Sequence, residues 1–367
     1  MGEWAVTGVV GLGGLGIGLV FGAVAQRTNF CTMGGISDQL LMGDGRRLRT
    51  WLLATAVAVI GTQALASGGA VAIDKSIYLT ANFGWAGAIL GGLLFGFGMT
   101  QAGGCGSRTL VRLGAGNLKA LVVALVLGLV AYMTLRGLIA PLRVQLEAAT
   151  NLDLKALGLK TQHLGDMIGL GFGLAAETAR RAVAVVAAAG LLWFCFKDAD
   201  FRSSPRDVFA GLVIGLCSVA GWTVTGILGA DDFNPVPLVS VTLVAPVGEG
   251  LQYLMTFTGA TISFGVAVAG GIVLGSFLAA ISGGSFRLEG FADRADLLRH
   301  LGGGALMGLG GVLALGCTIG QGVTGMGTLA AGSLLALGSI LAGGAIGVKY
   351  LEEGSLGGAL RALAARN

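Results

Sequence analysis

Nine apolar stretches of roughly membrane-spanning length follow one another along the chain, at 5–25, 50–73, 84–101, 118–140, 180–196, 207–229, 258–282, 299–316 and 331–349. Hydrocarbon cannot satisfy free backbone N–H and C=O groups, so such a chain must be helical wherever it meets lipid. The expectation is an all-α polytopic membrane protein with about nine transmembrane helices. Shorter apolar pieces near 28–42, 163–176 and 236–256 are too short or too broken to span alone and read as re-entrant helices and loops. Charged residues make up only 11% of the chain. Soluble domains carry about 25%, which excludes a soluble globular enzyme.

The 68 glycines show no Gly-X-Y period and lie within apolar segments, where they suit closely packed helices. The net charge of +4 is small and its basic residues are dispersed, so no nucleic-acid footprint is visible. Five cysteines form no Cys-x-x-Cys pair, and His163 and His300 lie far apart. Structural zinc, haem and iron–sulfur sites need denser ligand sets, so no metal or cofactor is expected.

Lys and Arg in short loops set the orientation. "GDGRRLRT" at 43–50 carries three arginines, and Arg361 and Arg366 follow the last apolar stretch. The first few residues hold only Glu3, and the 74–83 loop only Asp74 and Lys75. These counts place the N-terminus outside and the C-terminus in the cytoplasm of a multi-pass protein of the cell inner membrane. The 141–162 stretch is the longest amphiphilic connection and belongs outside the bilayer core.

Four segments align without gaps on a Gly-x-x-x-Gly step: "GLVFGAVAQRTNFC" (18–31), "GLLFGFGMTQAGGC" (92–105), "GLVIGLCSVAGWTV" (211–224) and "GALMGLGGVLALGC" (304–317). Thirteen residues after the first glycine stand Cys31, Cys105, Val224 and Cys317. The segments fall in two pairs, implying internally duplicated halves with pseudo-two-fold symmetry. One integral membrane domain, 1–367, thus divides into a first half at 1–140, a connection with short helices at 141–176, a second half at 177–349 and a tail at 350–367.

Duplicated apolar chains often carry a transport site between their repeats. A glycine-rich helix break survives in a membrane only when buried or facing a polar cavity. A helix restarting after the break aims free N–H groups and a positive dipole end at that cavity, which favours an anion. A cysteine beside the break adds a weak S–H donor and a polarisable sulfur, suited to a small sulfur-containing anion. Cys31, Cys105 and Cys317 are therefore candidate pathway residues; Cys195 and Cys217 lie outside the register and read as packing residues. Arg27 and Arg108 flank the first two thiols and either attract the anion, snorkel to headgroups or pair with a carboxylate. Gln101, Thr318 and Gln321 offer neutral hydrogen bonds to the pathway or to freed backbone.

The strings "FGAVAQRTNFCTMGG", "FGFGMTQAGGCGSRTL" and "LALGCTIGQGVTG" resemble the YeeE/YedE family of sulfur-transport membrane proteins, and the resemblance spans nearly the whole chain. It implies an hourglass-like helical protein in which Cys31, Cys105 and Cys317 line the route. It also implies uptake of thiosulfate or a related sulfur anion, handed along by transient S–H···S hydrogen bonds without a covalent intermediate. Some relatives carry a fused sulfur-carrier domain; the residues after Gly354 are too few for one, so a separate soluble sulfurtransferase on the cytoplasmic side is implied. The alternatives are a membrane sensor of sulfur species and a membrane thiol redox enzyme.

Overall fold

The computed structural model describes residues 3–231, 236–259 and 261–364, with side chains from Val6 onward. Arg366, one of the residues used for orientation, lies outside them. The described chain is almost wholly helical. In order run α1 (Glu3–Thr28), α2 (Thr32–Leu41), α3 (Arg46–Ser67), α4 (Trp85–Gln101), α5 (Gly106–Gly114), α6 (Leu118–Arg136), α7 (Ala140–Thr150) and α8 (Leu164–Phe172). Then come α9 (Ala176–Phe196), α10 (Ala199–Arg202), α11 (Pro205–Thr223), α12 (Val244–Met255), α13 (Phe264–Ser282), α14 (Arg294–Leu313), α15 (Ala331–Glu353) and α16 (Leu356–Ala364). The short apolar pieces form α2, α8 and α12.

Among the described residues, eight stretches are long and apolar enough to cross a membrane, and the protein is an all-α polytopic membrane protein. The ninth expected span forms a helix of similar length, α14. Its first two turns carry Arg294, Asp296 and Arg299, which dilute its apolar character. These charges sit at the end of the bundle, where Lys119 at the start of α6 pairs with Asp296 at 2.7 Å. Beyond them α14 is glycine-rich and buries Gly303, Gly304, Met307 and Gly308.

The Gly-x-x-x-Gly steps are helix contacts. Gly18 and Gly22 of α1 press on Val268 and Ile272 of α13, and Gly271 and Gly275 return the contact to Leu15 and Leu19. Side chains here would hold the backbones apart, which is why small residues occupy both faces. Gly92 and Gly96 of α4 meet Ala336 and Ile340 of α15 in the same parallel sense. The other two steps behave alike: Gly211 and Gly215 of α11 lie on Thr50 and Ala54 of α3, and Gly304 and Gly308 of α14 on Val123 and Leu127 of α6.

These contacts form one pattern used twice. In the set α1, α3, α11 and α13, the outer partners pair as α1 with α13 and α3 with α11; in the set α4, α6, α14 and α15, they pair as α4 with α15 and α6 with α14. The sets join where α5 packs on α13 and α12 packs on α6. At one face, Asn82–Phe83 pairs antiparallel with Leu152–Asp153, and Arg180 of α9 binds both Asp74 and Asp166. The 141–162 connection belongs to that face, outside the long helices.

Candidate functional site

Three of the four repeat segments break by the same device. Helix α4 ends in a Schellman turn: Gly103 takes φ 70°, its N–H donates to Thr100 O, and Gly104 N–H donates to Met99 O at 2.8 Å. Helix α14 ends identically, with Leu315 at φ 56° and Gly316 N–H donating to Gly311 O at 2.8 Å. Helix α1 ends with Asn29 at φ 55° and Phe30 N–H donating to Ala25 O at 3.2 Å. Each left-handed residue stands two positions before a register cysteine. In the third segment the equivalent residue is Trp222, still helical, and the irregularity instead takes the form of a π-helical turn beginning at Val224.

After each of the three breaks the chain becomes helical again beside the cysteine. Cys31 is the N-cap of α2 and its sulfur accepts the Gly34 N–H at 3.4 Å. Cys105 is the N-cap of α5, its sulfur 3.3 Å from Ser107 Oγ. Cys317 precedes a π-helical segment, Gly320–Gly325, and accepts the Gly320 N–H at 3.4 Å. Helix starts leave amides without intrahelical acceptors and concentrate positive potential there. The cysteines therefore sit where the backbone can receive negative charge.

The structure brings these thiols together. Cys31 and Cys105 interact directly, and Thr318 lies against the Cys105 sulfur. Cys317 lies in the neighbourhood of Cys105, and the Leu243 amide at the start of α12 points at its sulfur. The order is thus Cys317, Cys105, Cys31. Cys105 and Cys317 are fully buried and Cys31 is 8% exposed. All five cysteines are free. Cys195 donates to Arg49 O at 3.4 Å and Cys217 to Ile17 O at 3.9 Å, each away from the succession.

The polar neighbours separate clearly. Arg108 belongs to the site: its charge reaches Cys31, Nη2 donates to Asn29 Oδ1 at 3.0 Å, and the buried Nη1 has no partner. Arg27 does not join the thiols. It is exposed at the end of α1 and donates to Ser282 Oγ of α13 at 3.1 Å, a consequence of the parallel α1–α13 packing. Gln101 is buried and donates to Thr100 Oγ1 at 3.3 Å. Gln321 Nε2 donates to Ala314 O across the third break, leaving its Oε1 unpartnered. Glu249 accepts from Ser263 Oγ at 3.1 Å, at the α12–α13 junction.

Other contributors were not visible in the one-dimensional pattern. Arg112 Nη1 donates to Gly103 O at 3.1 Å and so holds the second break from the far end of α5. Tyr78 and Thr242 lie against Gly320, beside Cys317. Trp51 of α3 covers Gly322. Arg112 alone had a sequence signal, one helical turn beyond Arg108.

A family model described as "Sulphur transport" matches residues 27–346. The thiosulfate transporter TsuA of Escherichia coli (strain K12) is 27% identical over 332 residues, covering 85% of this chain and 86% of the relative. The thiosulfate transporter TsuA of Spirochaeta thermophila is 29% identical over 325 residues, covering 86% and 92%. The matched region contains all three thiols and every break described above. This chain belongs to the sulphur-transport family, and it is a multi-pass membrane transport protein and not an enzyme.

Proposed function

We propose that this protein takes thiosulfate inward across the cell inner membrane along Cys317, Cys105 and Cys31. The observation carrying this reading is the succession of three buried thiols, each set at a helix break with backbone amides or a hydroxyl directed at its sulfur. Similarity to two thiosulfate transporters supports the choice of ligand.

The mechanism follows from weak, repeated recognition. Helix-start amides offset part of the dianion's desolvation without a fixed counter-ion, while each thiol offers an S–H donor to the terminal sulfur. Hydrogen bonds to a charged partner contribute about 1.5–3 kcal/mol each, enough to define a station but weak enough for release. Because Cys31 and Cys105 are neighbours, the anion passes from one to the other. No sulfur–sulfur bond forms or breaks. Arg108 at the Cys31 end attracts the departing anion toward the basic loop at 43–50, taken as cytoplasmic. A soluble sulfurtransferase receives it there, and 1–140 and 177–349 are the two halves enclosing the route.

The test is uptake of ³⁵S-thiosulfate into proteoliposomes of the purified protein, against empty liposomes. Accumulation that unlabelled thiosulfate suppresses and sulfate does not is the expected result. Uptake no faster than in empty liposomes overturns the reading.

A further inference from the structure

Threonines in the helices of this chain normally bond back to the preceding turn. Thr28 donates to Val24 O, Thr50 to Arg46 O, Thr134 to Val130 O and Thr223 to Val219 O, at 2.8–3.1 Å. This is the ordinary way a helix satisfies a hydroxyl. Three threonines break the rule: Thr62, fully buried within α3, and Thr32 and Thr318. Thr32 is 1% exposed and Thr318 fully buried, and neither Oγ1 bonds to backbone; the Thr318 hydroxyl meets only the Cys105 sulfur. Thr32 and Thr318 each directly follow a register cysteine.

The cause is the break itself. Thr32 and Thr318 stand at the restart of their helices, so the carbonyl four residues earlier belongs to a chain segment on the other side of the turn. Removing that carbonyl leaves a donor that burial would normally penalise. The third repeat segment provides an internal comparison. There Val224 replaces the thiol, and the following Thr225 is fully satisfied, donating to Gly221 O at 3.1 Å and Val239 O at 2.6 Å. Where the cysteine is present the hydroxyl has no backbone acceptor; where it is absent the hydroxyl is bonded to backbone. The second segment has Gly106 at this position, and Thr318 reaches across to its thiol, Cys105.

We propose that Thr318 and Thr32 are specificity-determining residues: their hydroxyls bind the sulfonate oxygens of the passing anion while the neighbouring thiols bind its terminal sulfur. The proposal rests on the transport reading and adds the half of the recognition that the thiols cannot supply. Thiosulfate is chemically two-ended, with one soft sulfur and three hard oxygens. A station built of S–H beside O–H matches both ends at once, whereas sulfate offers no soft end and hydrosulfide no hard one. Thr318 directly follows Cys317 and lies against Cys105, and so serves two thiols; Thr32 directly follows Cys31 and serves it.

The test is Thr318→Val, which keeps the shape and deletes the donor, with Thr318→Ser as the rescue. Two readouts are taken on purified protein: ³⁵S-thiosulfate uptake in proteoliposomes, and melting temperature in detergent with and without thiosulfate. Thr318→Val should lower uptake about tenfold or more, while serine retains most of it. Without thiosulfate, Thr318→Val should melt at or above the wild type, because a buried hydroxyl with no backbone acceptor and only a weakly accepting thiol beside it is replaced by an apolar isostere. Its stabilisation by thiosulfate should shrink. Wild-type uptake in the valine variant, or a melting temperature below the wild type without ligand, overturns the proposal. A wild type that transports while Thr318→Val matches it defeats this proposal alone; a wild type that takes up no thiosulfate defeats the transport reading with it.

Discussion

The α1–α13 crossing sets the position of Cys31, so a methyl group placed there is a direct test of how the fold positions the site. A Cβ on Gly22 would fall onto the Ile272 carbonyl, with Ile272 C and Cα both at 2.9 Å. None of these backbone atoms can rotate away. Gly22→Ala must therefore part the helices by roughly 1 Å to restore van der Waals separation, and overpacking of this kind costs about 1–3 kcal/mol. Gly16, two turns earlier on the same helix, has nothing within 4 Å of a built Cβ. Gly16→Ala should gain about 0.5–1 kcal/mol from helix propensity alone. The same substitution in one helix thus has opposite expected signs, which a melting curve of each purified variant reads directly. Gly22→Ala should also lower thiosulfate uptake, because the end of α1 carries Cys31 and its contact with Cys105 depends on that position. Equal melting temperatures for the two variants would refute the argument that the Gly-x-x-x-Gly steps govern the helix separation.

Two further outcomes follow from particular side chains. His163 caps α8 by accepting the Gly165 N–H at 2.9 Å, and burial, with Arg180 nearby, lowers its pKa to about 4. The unfolded chain then takes up a proton first as pH falls below about 6.5, so stability present above that pH is lost progressively down to about 4, roughly 2 kcal/mol by pH 5. His163→Asn keeps an acceptor for the cap and should remove this loss; an unchanged drop in melting temperature between pH 7 and pH 5 would contradict it. Arg108→Gln should raise the KM for thiosulfate uptake about tenfold, as removal of a charge-assisted contact, while Arg27→Gln leaves KM unchanged. Equal effects from the two arginines would show that the hydrogen bond from Arg27 to Ser282 does not separate it from the route.

The membrane-spanning architecture was legible because apolar length is a local property, and the thiol register because repetition survives in one dimension. The placement of Cys31, Cys105 and Cys317 beside breaks was legible for the same reason. How the breaks are made was not. Asn29 and Leu315 adopt left-handed backbone without glycine, and nothing in leucine announces that conformation. The difference between Arg27 and Arg108 was equally hidden, since it depends on which distant helix each meets: Ser282 of α13 for one, the turn at Asn29 for the other. Leu243, Tyr78 and Trp51 reach the site from segments far away in sequence. The lack of a backbone acceptor for the hydroxyls of Thr32 and Thr318 required knowing where each helix restarts, because a threonine one turn later would have bonded to the helix itself.

The most direct test of the thiol succession is the initial rate of ³⁵S-thiosulfate uptake by Cys105→Ala in proteoliposomes, compared with Cys105→Ser and the wild type at equal protein density. Cys105 is the middle thiol of the proposed route, next to Cys31 and near Cys317. Loss of its hydrogen bond to a charged ligand should lower occupancy there about tenfold or more. The account predicts severe loss for alanine, with serine no better than intermediate because a hydroxyl donates but lacks the polarisable sulfur. Uptake by Cys105→Ala at the wild-type rate would show that thiosulfate does not pass by this thiol, and would contradict the relay.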